Sequence, residues 1–155
     1  MISILDKELL EKLTTEADSL PRRRKNLNLH QSLDEPVQKL FIAMQSDSYV
    51  RPHRHPQIEK TELFIAIRGR FAAVIFNDQG EVMEFVEFSA MGDRFGAEIR
   101  PNTWHTIIAL EDGSVFLEVK QGPYAPLSDK DFASWAPAEN TAEVKQYLQQ
   151  LRSFI

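Results

Sequence analysis

There is no cysteine in this chain, which excludes disulfides, thiolate metal sites, iron–sulfur clusters and a cysteine nucleophile. Any metal it binds must be held by histidine and carboxylate side chains. Long apolar runs are missing as well. No stretch approaches the length of a membrane span, and the first residues, M-I-S-I-L-D-K-E-L-L-E-K, set charges where a signal peptide needs unbroken apolar sequence. A soluble cytoplasmic protein is the expectation. Positive charge is in deficit: the formal net charge is −5 at pH 7, which argues against nucleic acid as the main partner. The local exception, Arg22-Arg23-Arg24-Lys25, reads as a solvated link after a helix.

What is present is enough for one core. A length of 155 residues with 43% apolar side chains is the size and composition of a single domain. Leu5, Leu9, Leu10, Leu13 and Ala17 recur at helical spacing and predict an amphipathic helix over 3–18, ended by Pro21. Asn26-Leu27-Asn28-Leu29-His30 alternates and predicts a short half-buried strand with Asn26, Asn28 and His30 on one face. Asp34 is read as the cap of a second helix, with Pro36 in its first turn and Val37, Leu40, Phe41 and Met44 on its apolar side, ending near Gln45.

From Ser46 the texture changes to short alternating runs separated by turn signals, the pattern of an all-β sandwich or small barrel. Strands are expected at 49–55, 62–67, 71–76, 82–88, 97–100, 105–110 and 115–120. Asn77-Asp78-Gln79-Gly80 and Glu111-Asp112-Gly113 are read as hairpin turns. A short helical turn at 128–132 and a closing helix over 137–155, with Val144, Tyr147, Leu148, Leu151 and Ile155 on one stripe, complete the chain. The reading is one domain over 1–155: a helical and strand extension over 1–45, a β-core over 46–122, and a helical segment over 123–155.

The chemistry concentrates in R-P-H-R-H-P-Q-I-E-K-T-E-L-F-I-A-I-R-G, residues 51–69, and in P-N-T-W-H-T-I, residues 101–107. On an extended backbone His53 and His55 point to one side, together with Arg51 and Tyr49. A third imidazole, His105, opens a later strand. With a nearby acid, these residues are candidate ligands for one divalent metal. Two acids compete. Glu62 heads the alternation Glu62, Phe64, Ala66 and sits on a strand, whereas Glu59 falls in a solvated excursion after Pro56, so Glu62 is favoured. Arg51 is a candidate clamp for a carboxylate or phosphate, Tyr49 and Trp104 are candidate pocket walls, and His30 is a candidate rim acid or base.

These two motifs resemble those of the cupin superfamily: H-x-H, a spacer, E and six residues to G, then a proline-containing turn leading to H. The resemblance implies a mainly β fold, the cupin double-stranded β-helix or jelly-roll-like small barrel, here with N-terminal and C-terminal helical extensions. It also implies one divalent transition metal, Fe, Mn, Ni or Zn, on His53, His55, Glu62 and His105. The spacer from His55 to Glu62 is longer than usual in that superfamily, while the distance from Glu62 to Gly69 fits. Outside the barrel, R-R-R-K-N-L-N-L-H, D-E-P-V-Q-K-L and Y-V-R-P-H-R-H-P look like the WbuC family of bacterial cupin-fold metalloproteins. Members of that family occur in gene clusters for surface polysaccharide. The implied function is metal-dependent chemistry, an isomerase or oxygenase, on a small polar metabolite such as a sugar or sugar nucleotide. The alternatives are a non-catalytic metal and small-molecule binding protein and a metal-free sugar isomerase or epimerase using histidine acid–base chemistry. Partners are expected to be a small-molecule ligand and a second copy of the chain, paired through 26–30, with no nucleic acid and no membrane.

Overall fold

A computed structural model describes residues 2–57 and 60–155. Glu59, the competing acid, lies outside the described residues. The elements in chain order are α1 (Lys7–Ser19), β1 (Arg24–Asn28), β2 (Val37–Met44), β3 (Glu62–Arg68), β4 (Arg70–Phe76), β5 (Val82–Ser89), β6 (Gly96–Ile99), β7 (Trp104–Ala109), β8 (Ser114–Gln121), a 3-10 turn (Asp129–Asp131) and α2 (Val144–Arg152).

Two antiparallel sheets face each other, one of five strands in the order β1-β2-β8-β3-β6 and one of three in the order β5-β4-β7. Alternation along each strand sends one set of side chains between them. Leu40, Ile42, Met44, Phe64, Ala66, Ile99 and Phe116 come from the larger sheet, and Phe71, Ala73, Phe88, Ile107 and Ala109 from the smaller. Each large apolar side chain fully buried there contributes roughly 1.5–3 kcal/mol.

The helices cover the outer faces. In α1 the Asp6 carboxylate accepts from the Leu9 amide, capping the first turn. The helix stops before Pro21, which disfavours helical geometry at Leu20. Its Leu13 and Ala17 pack on Phe41, Ala43 and Val115 behind the larger sheet. Leu148 and Leu151 of α2 pack on Ala72, Val74, Phe76 and Ile108 behind the smaller one. Among the described residues no helix is long and apolar enough to cross a membrane.

Several expectations are corrected here. Residues 37–44 form a strand and not a second helix. Leu40, Ile42 and Met44 face the core while Phe41 and Ala43 face α1. A strand buried on both faces reads as a continuous apolar run, and its helical spacing is then coincidental. Consequently β1 and β2 belong to the larger sheet, so the barrel begins well before residue 46. Residues 49–55 are not a regular strand. Pro52 and Pro56 cannot donate to a ladder, and pairing is confined to isolated bridges from His53 to His105 and to Phe132. Glu111-Asp112-Gly113 is no hairpin: it carries the chain from β7 in one sheet to β8 in the other. The closing helix occupies only 144–152, after Asn140 turns left-handed at φ 66°, and Ile155 is exposed rather than docked.

The basic cluster is answered locally. Arg22 and Arg24 both meet Glu139, Arg23 meets Asp18 and Asp47, and Lys25 meets Glu16.

Candidate metal centre

Three separate parts of the fold deliver the candidate ligands. Glu62 is the first residue of β3, opposite Ile99 on one side and Lys120 on the other. Gly69 ends that strand with φ 76°, and a Cβ there would collide with Ser114. Only glycine therefore makes the turn into β4 that fixes the register of Glu62. His105 is the second residue of β7. It exchanges backbone bonds with His53, from His53 N to His105 O at 3.0 Å and from His105 N to His53 O at 2.9 Å. The turn at Pro101-Asn102, with Asn102 at φ 58°, donates its Asn102 amide to the His55 carbonyl oxygen at 2.7 Å. The second motif thus clamps the first.

The side chains converge. Ligand atoms of His53, His55 and Glu62 all lie within 4.8 Å of one another. His55 Nε2 is 3.1 Å from Glu62 Oε1, and His105 Nε2 is 2.9 Å from Glu62 Oε2. His55, Glu62 and His105 are buried and His53 is half-buried. The Nδ1 atoms of His53 and His105 face the carbonyl oxygens of Arg51 and Thr103, at 3.0 and 2.8 Å. A carbonyl only accepts, so each Nδ1 carries a hydrogen, which leaves Nε2 as the atom that can turn a lone pair to a bound cation. His55 Nε2 and His105 Nε2 thus approach the two oxygens of one carboxylate. Three imidazoles and a carboxylate gathered around one point are a donor set that fits a divalent transition metal.

Electrostatics agree with that donor set. Burial, with the neighbouring His105, pushes the His53 imidazolium down to about 3, so the ring is neutral and ligand-ready. Burial opposes the Glu62 carboxylate, but His105 and His55 outweigh it and hold the carboxyl well below its ordinary value. His105 in turn is held up by Glu62 against the effect of burial. A negative charge at Glu62 is the attractor that a cation at this point would answer.

Two cavities meet at this cluster, and both are lined by His53 and Lys120. The inner one, about 180 Å³, also has Glu62, His105, Glu118, Arg24 and Asn26 beside apolar walls that include Phe64, Ile107 and Phe116. The outer one, about 340 Å³, is lined also by His55, Lys60, Tyr124 and Phe132.

Glu118 and Lys120 escaped sequence reasoning. On β8 they share the inward face with Phe116, and register sets Lys120 opposite Glu62 and Glu118 opposite Phe64. Lys120 Nζ lies 2.5 Å from Glu118 Oε1 and 3.9 Å from Glu62 Oε1. Burial raises the Glu118 carboxyl, while Glu118 and Glu62 outweigh burial at Lys120 and hold its ammonium up. The signal was the alternation Phe116, Glu118, Lys120 itself.

Four other expected residues stand elsewhere. Tyr49 packs behind the smaller sheet, edge-on to Tyr147, with its hydroxyl on the Pro137 carbonyl oxygen at 2.8 Å. Arg51 is spent on the Ala133 carbonyl oxygen at 2.8 Å. Because Pro52 breaks the strand, the parity that put these two beside His53 does not hold. Trp104 precedes His105 and so faces out, where its indole donates to Asp78 at 2.9 Å and Arg54 lies over its ring. His30 lies past the end of β1, buried against the backbone of Lys39; its strand-mate Asn26 is the one that reaches the inner cavity.

Similar folds occur among solved structures. KdgF from Halomonas sp. aligns with a TM-score of 0.53 and 18% identity, over 70% of this chain and 86% of that one. The conserved protein SPY1581 of unknown function from Streptococcus pyogenes aligns with a TM-score of 0.55 and 15% identity, over 81% and 91%. A variant of the oxalate decarboxylase OxdC from Bacillus subtilis aligns with a TM-score of 0.52 and 19% identity, over 72% of this chain but only 28% of the other. The fold is the cupin double-stranded β-helix. No curated protein matches the sequence. Residues 5–88, more than half of the chain, match a family described as a domain of unknown function, DUF6016.

Proposed function

We propose, for a chain that belongs to the DUF6016 family, that it binds one divalent transition metal ion through His53, His55, Glu62 and His105 and uses it on a small polar metabolite. The observation that carries this reading is the pair of carbonyl-bound Nδ1 atoms on His53 and His105, which leaves the Nε2 atoms as the ones available to a cation beside a buried carboxylate. Three imidazoles and one carboxylate suit Fe(II), Mn(II), Ni(II) or Zn(II). Such an ion would supply Lewis acidity or activate oxygen. The chain's own residues do the rest. Glu62 fixes the negative charge, the carbonyls of Arg51 and Thr103 fix the imidazole tautomers, and Phe64, Ile107 and Phe116 exclude water from one wall. A sugar or sugar nucleotide of surface polysaccharide metabolism is the finer reading, and its support is the resemblance to the WbuC family over 22–30, 34–40 and 49–56.

Protein purified without immobilised nickel should hold about one equivalent of metal by elemental analysis. His53→Ala and His105→Ala should each lose it while circular dichroism is unchanged, and a full complement in either variant would overturn the ligand set. A second reading, metal-free isomerisation or epimerisation with proton exchange between His105 and Glu62, draws on their 2.9 Å contact. Less than about a tenth of an equivalent of any transition metal would favour it.

A further inference from the structure

The outer cavity contains a charge that the metal reading does not use. Lys60 lies just before β3 and is only 8% exposed. A lysine so placed normally extends its ammonium to water. Here Nζ donates to the Pro123 carbonyl oxygen at 3.2 Å, and no carboxylate among the described residues lies within 4.0 Å of it. Its neighbour across the cavity is Lys120, already engaged by Glu118. Two ammonium groups thus face one space of about 340 Å³ beside His53 and His55. A largely buried lysine with no carboxylate in contact is uncommon, and this one lines a cavity beside the candidate metal centre.

The wider balance points the same way. The chain carries a net charge of −5, yet the two cavities are lined by Arg22, Arg24, Lys60 and Lys120 against Glu62 and Glu118. Glu139 contacts both arginines from outside, Glu118 contacts Lys120 and Glu62 is turned to His55 and His105, so Lys60 is the lining cation with no carboxylate contact among the described residues. A divalent ion on the His/Glu cluster would increase the surplus. The lining also includes apolar Pro126, Leu127 and Phe132, which suit the C–H face of a ring.

We propose that Lys60, seconded by Lys120, is the anion-recognition subsite of this centre, and that its ligand is a monosaccharide-sized molecule bearing a carboxylate or phosphate. The proposal rests on the reading that the His/Glu cluster holds a metal. It is tested on the full-length metal-loaded protein by calorimetric titration with glucuronate, glucose 6-phosphate and glucose, with metal content measured on the same samples. At least one anion should bind, with glucose at least about tenfold weaker. Lys60→Gln should weaken the anion at least about tenfold and Lys60→Arg less than about threefold, both with unchanged metal content. Binding of glucuronate alone assigns a carboxylate, and binding of glucose 6-phosphate alone assigns a phosphate. Glucose binding as tightly as both anions, no binding of any of the three, or wild-type affinity in Lys60→Gln overturns the subsite. Should Lys60→Gln not fold, the contrast between the two anions and glucose on wild-type protein decides. Protein that takes up no transition metal by elemental analysis yet binds glucuronate through Lys60 would overturn the metal reading and keep the subsite. Metal-loaded protein indifferent to ligand charge would do the reverse.

Discussion

The two ends of the space between the sheets are built from the same strands and do opposite things. On β3 the inward residues run Glu62, Phe64, Ala66; on β7 they run His105, Ile107, Ala109; on β8 they run Phe116, Glu118, Lys120. Antiparallel register sets Ala66 opposite Phe116, Phe64 opposite Glu118 and Glu62 opposite Lys120. One end is therefore a packed apolar core and the other a set of ionisable groups, with one or two residues of strand between them. At the apolar end Phe71 stacks on Phe88 at 5.6 Å and meets Phe116 edge-on at 5.1 Å. At the polar end, pairing among Glu62, His55, His105, Glu118 and Lys120 offsets a desolvation cost that hydrophobic residues would never incur. The apolar end carries stability, and the polar end spends some of it on chemistry.

That division can be broken from either side. The largest effect is expected at the apolar end. Phe71 is fully buried, and Phe71→Ala should cost about 3–5 kcal/mol in denaturant unfolding while the folded fraction keeps its metal stoichiometry. Loss of metal from still-folded protein would mean that the two ends are not separable. Next, Lys120→Met removes the cation facing buried Glu118 and should cost about 3 kcal/mol at neutral pH. Glu118 then titrates above its unfolded value, so the deficit is greatest at high pH and shrinks as pH falls and the carboxyl takes up a proton. Adding Glu118→Leu should restore much of the loss; if the double variant is no more stable than Lys120→Met, the pair is not the source of the cost. The smallest effect lies outside the lumen. Burial pushes the Glu139 carboxyl up, but Arg22 and Arg24 outweigh it and hold it below its ordinary value. Its contribution is therefore complete above the unfolded carboxylate range and is lost as pH falls through the lowered folded value. Glu139→Gln should cost about 1 kcal/mol at neutral pH, with wild type and variant converging in acid. A constant offset across the range would remove the charge from the explanation.

Much of this was legible before any coordinates. The alternation of residues 62–67, 71–76, 82–88 and 115–120 carries its own period, so those strands stand within a residue or two of the expected bounds. The His53, His55 and Glu62 grouping followed from spacing and parity. What misled was the double burial of residues 40–44 between core and α1, where both faces are apolar and no period survives. Proline misled in the other direction, by breaking the parity that tied Tyr49 and Arg51 to His53.

By itself, then, the sequence determined which residues could serve as ligands and which strands could carry them, because side-chain chemistry and alternation are local properties. It determined that no thiolate has a part in the site. Tertiary structure alone decided that His53 bridges His105, that Lys120 stands opposite Glu62, and that Lys60 turns into the cavity mouth. Those are matters of register between segments far apart in the chain. A slip of one residue in any of them would turn the whole inward set to the other face, and no short window of sequence contains both partners.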